Sequence, residues 1–218
     1  MHRVTVVIVN YRTLALTKRC VESFRQYYLK VALILIDNGS QDASTKYIRE
    51  LSEKDSHTQG ILNDKNLTHG PALHQGMCTT QTPYVFLLDS DCVVRRGRFL
   101  ISMLRVFERN SLVYAVGHRD LVNAAGTAMK GVDRSNFILH VHPSAMMVDR
   151  IKYQQLPPFE YAGSPVVANM RAVPEHGWKL VHFPIATYIH HLRGGTRKKF
   201  AKRWDPKHPH ALQRPSKE

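Results

Sequence analysis

The chain opens on an unbroken apolar run, VTVVIV (residues 4–9), of the β-branched kind that suits a strand buried on both faces. Leu16, Cys20, Phe24 and Tyr28, with Val21 beside them, then recur at helical spacing through LALTKRCVESFRQYY. VALILID predicts a second strand ending at Asp37, and the NGS turn after it leads into a helix carrying Tyr47, Ile48 and Leu51. GIL (60–62) reads as a short third strand. Gly70 and Pro71 open a helix through PALHQGM, because proline is favourable at the first helical position, and YVFLLD is the fourth strand. Strands alternating with helices predict an α/β fold built on a single doubly wound, mostly parallel sheet.

The second half is less regular. SLVYAVG, FILHVH and KLVHFP read as strands, and VVANMRAV reads as a helix. From Arg193 onward nine Lys or Arg stand against Asp205 and Glu218, with three prolines among them, a composition that builds no core. The expected organisation is one domain over residues 1–197 and a basic C-terminal tail over residues 198–218.

With 218 residues and 43% hydrophobic content, the chain has enough apolar material for one self-sufficient core. Charge is the abnormal property: 31 Lys and Arg against 17 Asp and Glu leave +14, which implies a polyanionic partner or surface, either nucleic acid or anionic lipid. No stretch approaches the roughly 20 apolar residues of a membrane helix, and the first apolar run lacks the length and small-residue site of a signal peptide. The three cysteines, Cys20, Cys78 and Cys92, show no metal-ligand spacing and read as reduced thiols. The expected location is cytoplasmic, or the host cytoplasm for a phage-encoded protein.

The candidate chemistry sits where the apolar run Tyr84–Leu88 ends in two acids, Asp89 and Asp91. Ligands of parallel sheets bind beyond the carboxyl ends of the strands, and Asn10, Asp37 and the Asp89/Asp91 pair all fall there. Neither G-x-G-x-x-G nor G-x-x-x-x-G-K-S/T follows the first strand, where NYRT stands, so a glycine-cradled phosphate is not expected. Two carboxylates at i and i+2 suit a hard divalent cation neutralising a diphosphate. The alternative is that Asp89 and Asp91 cap a turn, as Asp37 would cap the NGS turn.

VTVVIVNYR, LILIDNGSQD, NLTHGPALHQGM, LLDSDCVV, GWKLVHFP and YIHHLRGGT follow one another along the chain. In pieces and in order the chain resembles the family 2 nucleotide-sugar glycosyltransferases of the GT-A fold, over roughly residues 3–197. The resemblance implies an inverting, metal-dependent transfer of a sugar from a UDP-sugar to a hydroxyl. It implies that Val9, Asn10 and Tyr11 form the wall against the base, that Asp37 accepts a base N–H, and that Asn66 through Gly70 line the diphosphate and sugar. Asp89, with Ser90 beside it, would hold the ribose, and Asp91 would bind Mn²⁺ or Mg²⁺. A His-containing loop near the C-terminus would complete the metal site, with Thr196 next to the phosphates. Between the two histidines, strand alternation selects His191 over His190.

The family's paired Glu-Asp, which supplies the general base, is missing. Glu160 is the sole carboxylate between Asp149 and Glu175, so Glu160 is the expected base and Asp149 the next choice. Arg95, Arg96 and Arg98 follow the D-x-D, and Arg197, Lys198 and Lys199 follow the histidine loop, so two basic patches are expected to contact the acceptor. That charge favours DNA carrying a hydroxymethylated base, as in phage-type DNA modification. The alternative is an envelope polysaccharide or lipid-linked glycan at the inner membrane face, with the tail on anionic lipid. A second alternative, prompted by the missing pair, is a non-catalytic nucleic-acid-binding protein on the same fold.

Overall fold

A computed structural model describes residues 2–123, 137–160 and 165–192. Its first half follows the predicted alternation. β1 (Val4–Asn10), β2 (Ala32–Asp37), β3 (Thr58–Leu62) and β4 (Tyr84–Leu88) lie parallel in the spatial order β3-β2-β1-β4. They are joined through α1 (Leu14–Arg25), α2 (Ala43–Lys54) and α3 (His69–Thr79). β1 is continuously apolar because both its faces are covered: Val4, Val6 and Ile8 share a core layer with Cys20 and Phe24, while Val7 and Val9 share the opposite layer with Ala72, Leu73 and Met77.

Beyond β4 come two elements not anticipated from the sequence. β5 (Cys92–Val94) is a short strand, and α4 (Phe99–Arg109) buries Phe99, Leu100, Met103, Leu104 and Phe107 on one face. The main sheet is completed by β6 (Val113–Val122), β7 (Ile138–Asp149) and β8 (Lys179–His182), giving the order β3-β2-β1-β4-β7-β6-β8. The sheet is single and its other pairings are parallel, as expected, but β7 runs antiparallel to both β4 and β6, so the sheet is mixed. β7 pairs directly with β6, the strand before it in the chain, and lies between β6 and β4 in the sheet. α5 (Arg150–Tyr153) and α6 (Val167–Ala172) follow, and β9 (Ile189–His191) pairs with β5 in a separate two-stranded sheet. The predicted basic tail, residues 198–218, lies outside the described residues.

One irregularity of β7 shapes the site. Gly117 pairs with Met146, and two residues further along β6 Arg119 pairs with Val141, so residues 142–145 of β7 form a wide bulge. Pro143, which has no N–H to donate to a ladder, sits inside it. A side chain at Gly117 would bring its Cβ to 2.6 Å from Val141 Cγ1, so glycine is what allows β7 to close against β6 beside the bulge. The bulge stands at the carboxyl end of β4, where the Asp89 N–H donates to the Ser144 carbonyl at 2.9 Å.

Candidate active site

The loops at the carboxyl ends of β1 and β2 are bound together by a buried amide. Asn10 is fully buried and donates from Nδ2 to Asp37 Oδ1 and Ser40 Oγ, both at 3.0 Å. Its Oδ1 accepts from Thr13 N–H, Thr13 Oγ1 and Thr17 Oγ1 at 3.3, 3.0 and 2.7 Å. Asp37 is equally buried, and its second oxygen accepts from Thr45 Oγ1 at 2.5 Å. Asp37 thus holds two loops in register. Val9 is buried, and Tyr11 is half-buried with the Arg12 guanidinium 5.4 Å from its ring centre.

Asn38 plays the corresponding part for the loop before α3. It donates to Asn66 Oδ1 and the Thr68 carbonyl at 2.9 and 3.0 Å, and accepts from Leu67 N–H at 3.0 Å. Gly39, with φ +73°, lets the two loops touch, since a Cβ there would stand 2.3 Å from the Lys65 carbonyl carbon. Asn66 and Gly70 are therefore set at the same end of the sheet as Asn10 and Asp37, as expected, and Gly70 is buried in the first turn of α3.

The two acids of the D-x-D stand beside histidines. The chain leaves the pleat after β4, with the Cys92 N–H closing a turn on the Asp89 carbonyl at 3.0 Å. β5 and β9 pair with Cys92 opposite His191, which brings His191 Nε2 to 3.0 Å from Asp91 Oδ1 and 3.9 Å from Asp89 Oδ2. His190 is exposed, so strand alternation selects the histidine that meets the acids. Ser90 is buried, its Oγ 3.4 Å from Thr13 Oγ1. On the opposite side His69, the first residue of α3, places Nε2 3.5 Å from Asp89 Oδ1. Burial pushes the Asp89 carboxyl up, but the hydrogen bond and charge of His69, aided by His191 and His142, outweigh it and hold the group below the usual carboxylate range.

Asp91, Cys92 and His191 present ligand atoms within 4.8 Å of one another. Cys92 is the poor member: burial pushes its thiol well above its ordinary value, and the thiol donates to the Ser144 carbonyl at 3.4 Å. A carboxylate and an imidazole with Asp89 adjacent fit an oxygen-seeking divalent cation at an open position, so Asp91 and His191 are the residues that would hold it.

Two histidines at this site were not singled out individually from the sequence. His69 lies inside the NLTHGP stretch already singled out. His142 is carried by the β7 bulge, with its ring centre 6.0 Å from that of His191 and 5.9 Å from that of His140. Burial pushes the His142 imidazole down; Asp89 opposes this, while His140, His191 and His118 add to it. His140 is buried, its Nδ1 has no hydrogen-bond partner among the described residues, and burial pushes it down as well.

The base candidates fare differently. Asp149 pairs with Tyr84 at the far end of β4, about 16 Å along the strand direction from Asp89. There it caps α5 through the N–H groups of Ile151 and Lys152 and binds Lys152 Nζ at 2.6 Å. Asp149 is thus a capping residue remote from the crevice, which corrects the expectation that it is a reserve base. Glu160 is exposed and makes no hydrogen bond or ion pair among the described residues. Arg95, Arg96 and Arg98 are exposed directly after β5, and Arg98 enters α4 with φ +68°. Thr196, Arg197, Lys198 and Lys199 lie outside the described residues. A groove of about 500 Å³ lined by Met170, Trp178, Leu180 and Arg119 includes none of the predicted site residues. No helix among the described residues is long and apolar enough to cross a membrane.

Comparison with known proteins agrees with this geometry. The profile described as "Glycosyl transferase family 2" matches residues 5–203. An uncharacterized glycosyltransferase of Haemophilus influenzae is 28% identical over 123 residues, which cover 56% of this chain and 49% of that protein. The teichoic acid poly(glycerol phosphate) polymerase of Staphylococcus epidermidis is 29% identical over 93 residues, 42% of this chain and 13% of that one. Among solved structures, the mannosyltransferase PcManGT of Pyrobaculum calidifontis, in complex with GDP-Man and Mn²⁺, superposes with TM-score 0.64 at 14% identity, covering 84% of this chain and 55% of that one. Residues 1–349 of S. aureus TarS, in complex with UDP-GlcNAc, give 0.60 at 10% identity over 86% and 57%. The chain thus spans about half the length, or less, of the proteins it matches. With a mixed seven-stranded sheet of the GT-A kind and a family profile running through nearly its whole described length, the chain belongs to glycosyl transferase family 2.

Proposed function

We propose that this protein transfers a sugar from a nucleoside diphosphate donor, UDP-linked by preference, to a hydroxyl of an envelope polysaccharide or lipid-linked glycan, with a divalent cation at Asp91 and His191. The observation that carries the reading is the 3.0 Å approach of His191 Nε2 to Asp91 Oδ1 beside Asp89, at the end of β4. When bound, the cation supplies positive charge against the diphosphate that leaves. Around it, Asn10 and Asp37 order the wall for the base, Asp89 faces the ribose, and Asn38 holds the Asn66–Gly70 loop toward the diphosphate and sugar. Glu160 is the group proposed to take the acceptor proton from the other face.

The acceptor class draws its support from the named relatives and from charge together. A poly(glycerol phosphate) chain is a polyanion, so the +14 net charge and the exposed Arg95, Arg96 and Arg98 suit such a polymer as well as they suit DNA. The test is incubation with Mn²⁺ and a panel of UDP-sugars against a membrane extract and a hydroxymethylated oligonucleotide, followed by mass analysis of both acceptors. Hexose on the membrane fraction alone is the expected result. Hexose on the oligonucleotide alone would replace the envelope acceptor with DNA, and binding of UDP equally well in EDTA and in Mn²⁺ would refute the cation.

A further inference from the structure

The β7 bulge also decides the tautomer of a histidine at the crevice. Ser144 N–H donates to His142 Nδ1 at 3.3 Å, and Ser144 Oγ lies 2.8 Å from the same nitrogen. A ring nitrogen that accepts from a backbone N–H carries no proton, so in the neutral imidazole the proton is on Nε2. Among the described residues Nε2 has no hydrogen-bond partner, although the ring packs beside His191, whose own Nε2 meets Asp91. The bulge thus presents one unused N–H beside the residues proposed to hold the cation.

That tautomer excludes two roles. Binding a cation through Nε2 needs a lone pair that the tautomer does not offer, and so does abstracting a proton. What remains is donation to an anion. We infer that His142 donates a hydrogen bond from Nε2–H to the diphosphate of the sugar donor, an inference that rests on the nucleotide-sugar reading above. As the glycosyl C–O bond to the diphosphate breaks, the electron pair stays on the phosphate oxygen and the proton stays on His142. A neutral donor suits the place, because an imidazolium would repel the cation beside it. A fixed N–H aimed at developing charge stabilises it without reorganisation.

The experiment is calorimetry of UDP and UMP, with Mn²⁺ present, on the wild type, His142→Ala and His142→Gln. A hydrogen bond to a charged group predicts that His142→Ala weakens UDP about tenfold and UMP less than about twofold. His142→Gln, whose amide keeps an N–H donor, should recover most of the UDP affinity. Equal losses for both nucleotides, no loss, or a glutamine variant as weak as the alanine variant would overturn the assignment. A wild type that binds no UDP would instead overturn the nucleotide-sugar reading, and this inference with it. Independently of any ligand, ring ¹⁵N NMR of the wild type should find His142 neutral with the proton on Nε2; a proton on Nδ1 would sink the inference even if His142→Ala lowers affinity.

Discussion

Replacing Asn10 by alanine tests whether the loop network, and not the sheet alone, builds the nucleotide wall. Asn10 makes five hydrogen bonds, two donated and three accepted, all inside a site closed to water. Each such bond contributes about 1 kcal/mol net, and a buried partner left unmade costs somewhat more. Thr13 and Thr17 can partly compensate through their own 3.4 Å contact, but Asp37 Oδ1 loses the donor that holds it. The expected destabilisation is therefore about 3–5 kcal/mol. At a urea slope of about 2–3 kcal/mol/M this lowers the unfolding midpoint by about 1–2.5 M without altering the slope. Urea unfolding followed by circular dichroism measures it, with Tyr11→Ala as the comparison. Tyr11 is only half-buried, so its loss should leave the midpoint nearly unchanged while weakening UDP binding. An Asn10→Ala midpoint within about 0.3 M of the wild type would refute the reasoning.

Three further outcomes are expected. Asp91→Ala should abolish the Mn²⁺-dependent part of UDP binding in calorimetry while its melting temperature in EDTA stays close to that of the wild type; retained Mn²⁺ dependence would remove Asp91 from the site. His191→Ala should weaken Mn²⁺ binding far more than His190→Ala, because His191 meets Asp91 and His190 is exposed; the reverse order would overturn the assignment. In EDTA, Asp89 contributes stability that is fully present above the unfolded carboxylate value of about 3.9 and is lost as pH falls through its lower folded value. His69→Ala removes the largest influence opposing burial, so acid unfolding should begin at a higher pH, and an unshifted acid transition would show that His69 does not set the Asp89 carboxyl.

The parallel half was legible because each of its elements announces itself locally. β1 and β2 are apolar runs that end in polar residues, α1 repeats at helical spacing, and the carboxyl ends of parallel strands are where ligands bind. That only one of His190 and His191 can reach the crevice was legible for the same reason, since alternation along three residues is a local property. Asp149 misled because it was weighed by the scarcity of acids around it, whereas its position depends on which end of β4 pairs with β7. Sequence period carries no information about that pairing. The antiparallel direction of β7 is hidden on the same ground, because the run SAMMV is as apolar as a parallel core strand and gives no sign of its direction.

His142 shows most clearly why part of the site was illegible. Its place results from a register difference between two strands: β6 advances by two residues while β7 advances by five. Neither strand's own pattern encodes that difference, although a proline interrupting HVHPSA is a local sign of a broken ladder. Insertion of β7 between β4 and β6 fixes the bulge from both sides, through the Asp89 N–H on one and the tight packing at Gly117 on the other. The antiparallel insertion therefore has a chemical consequence. The parallel half delivers the carboxylates at the end of β4, and the strand that breaks the parallel order delivers an imidazole beside them at a register that the Asp89 backbone N–H helps to hold.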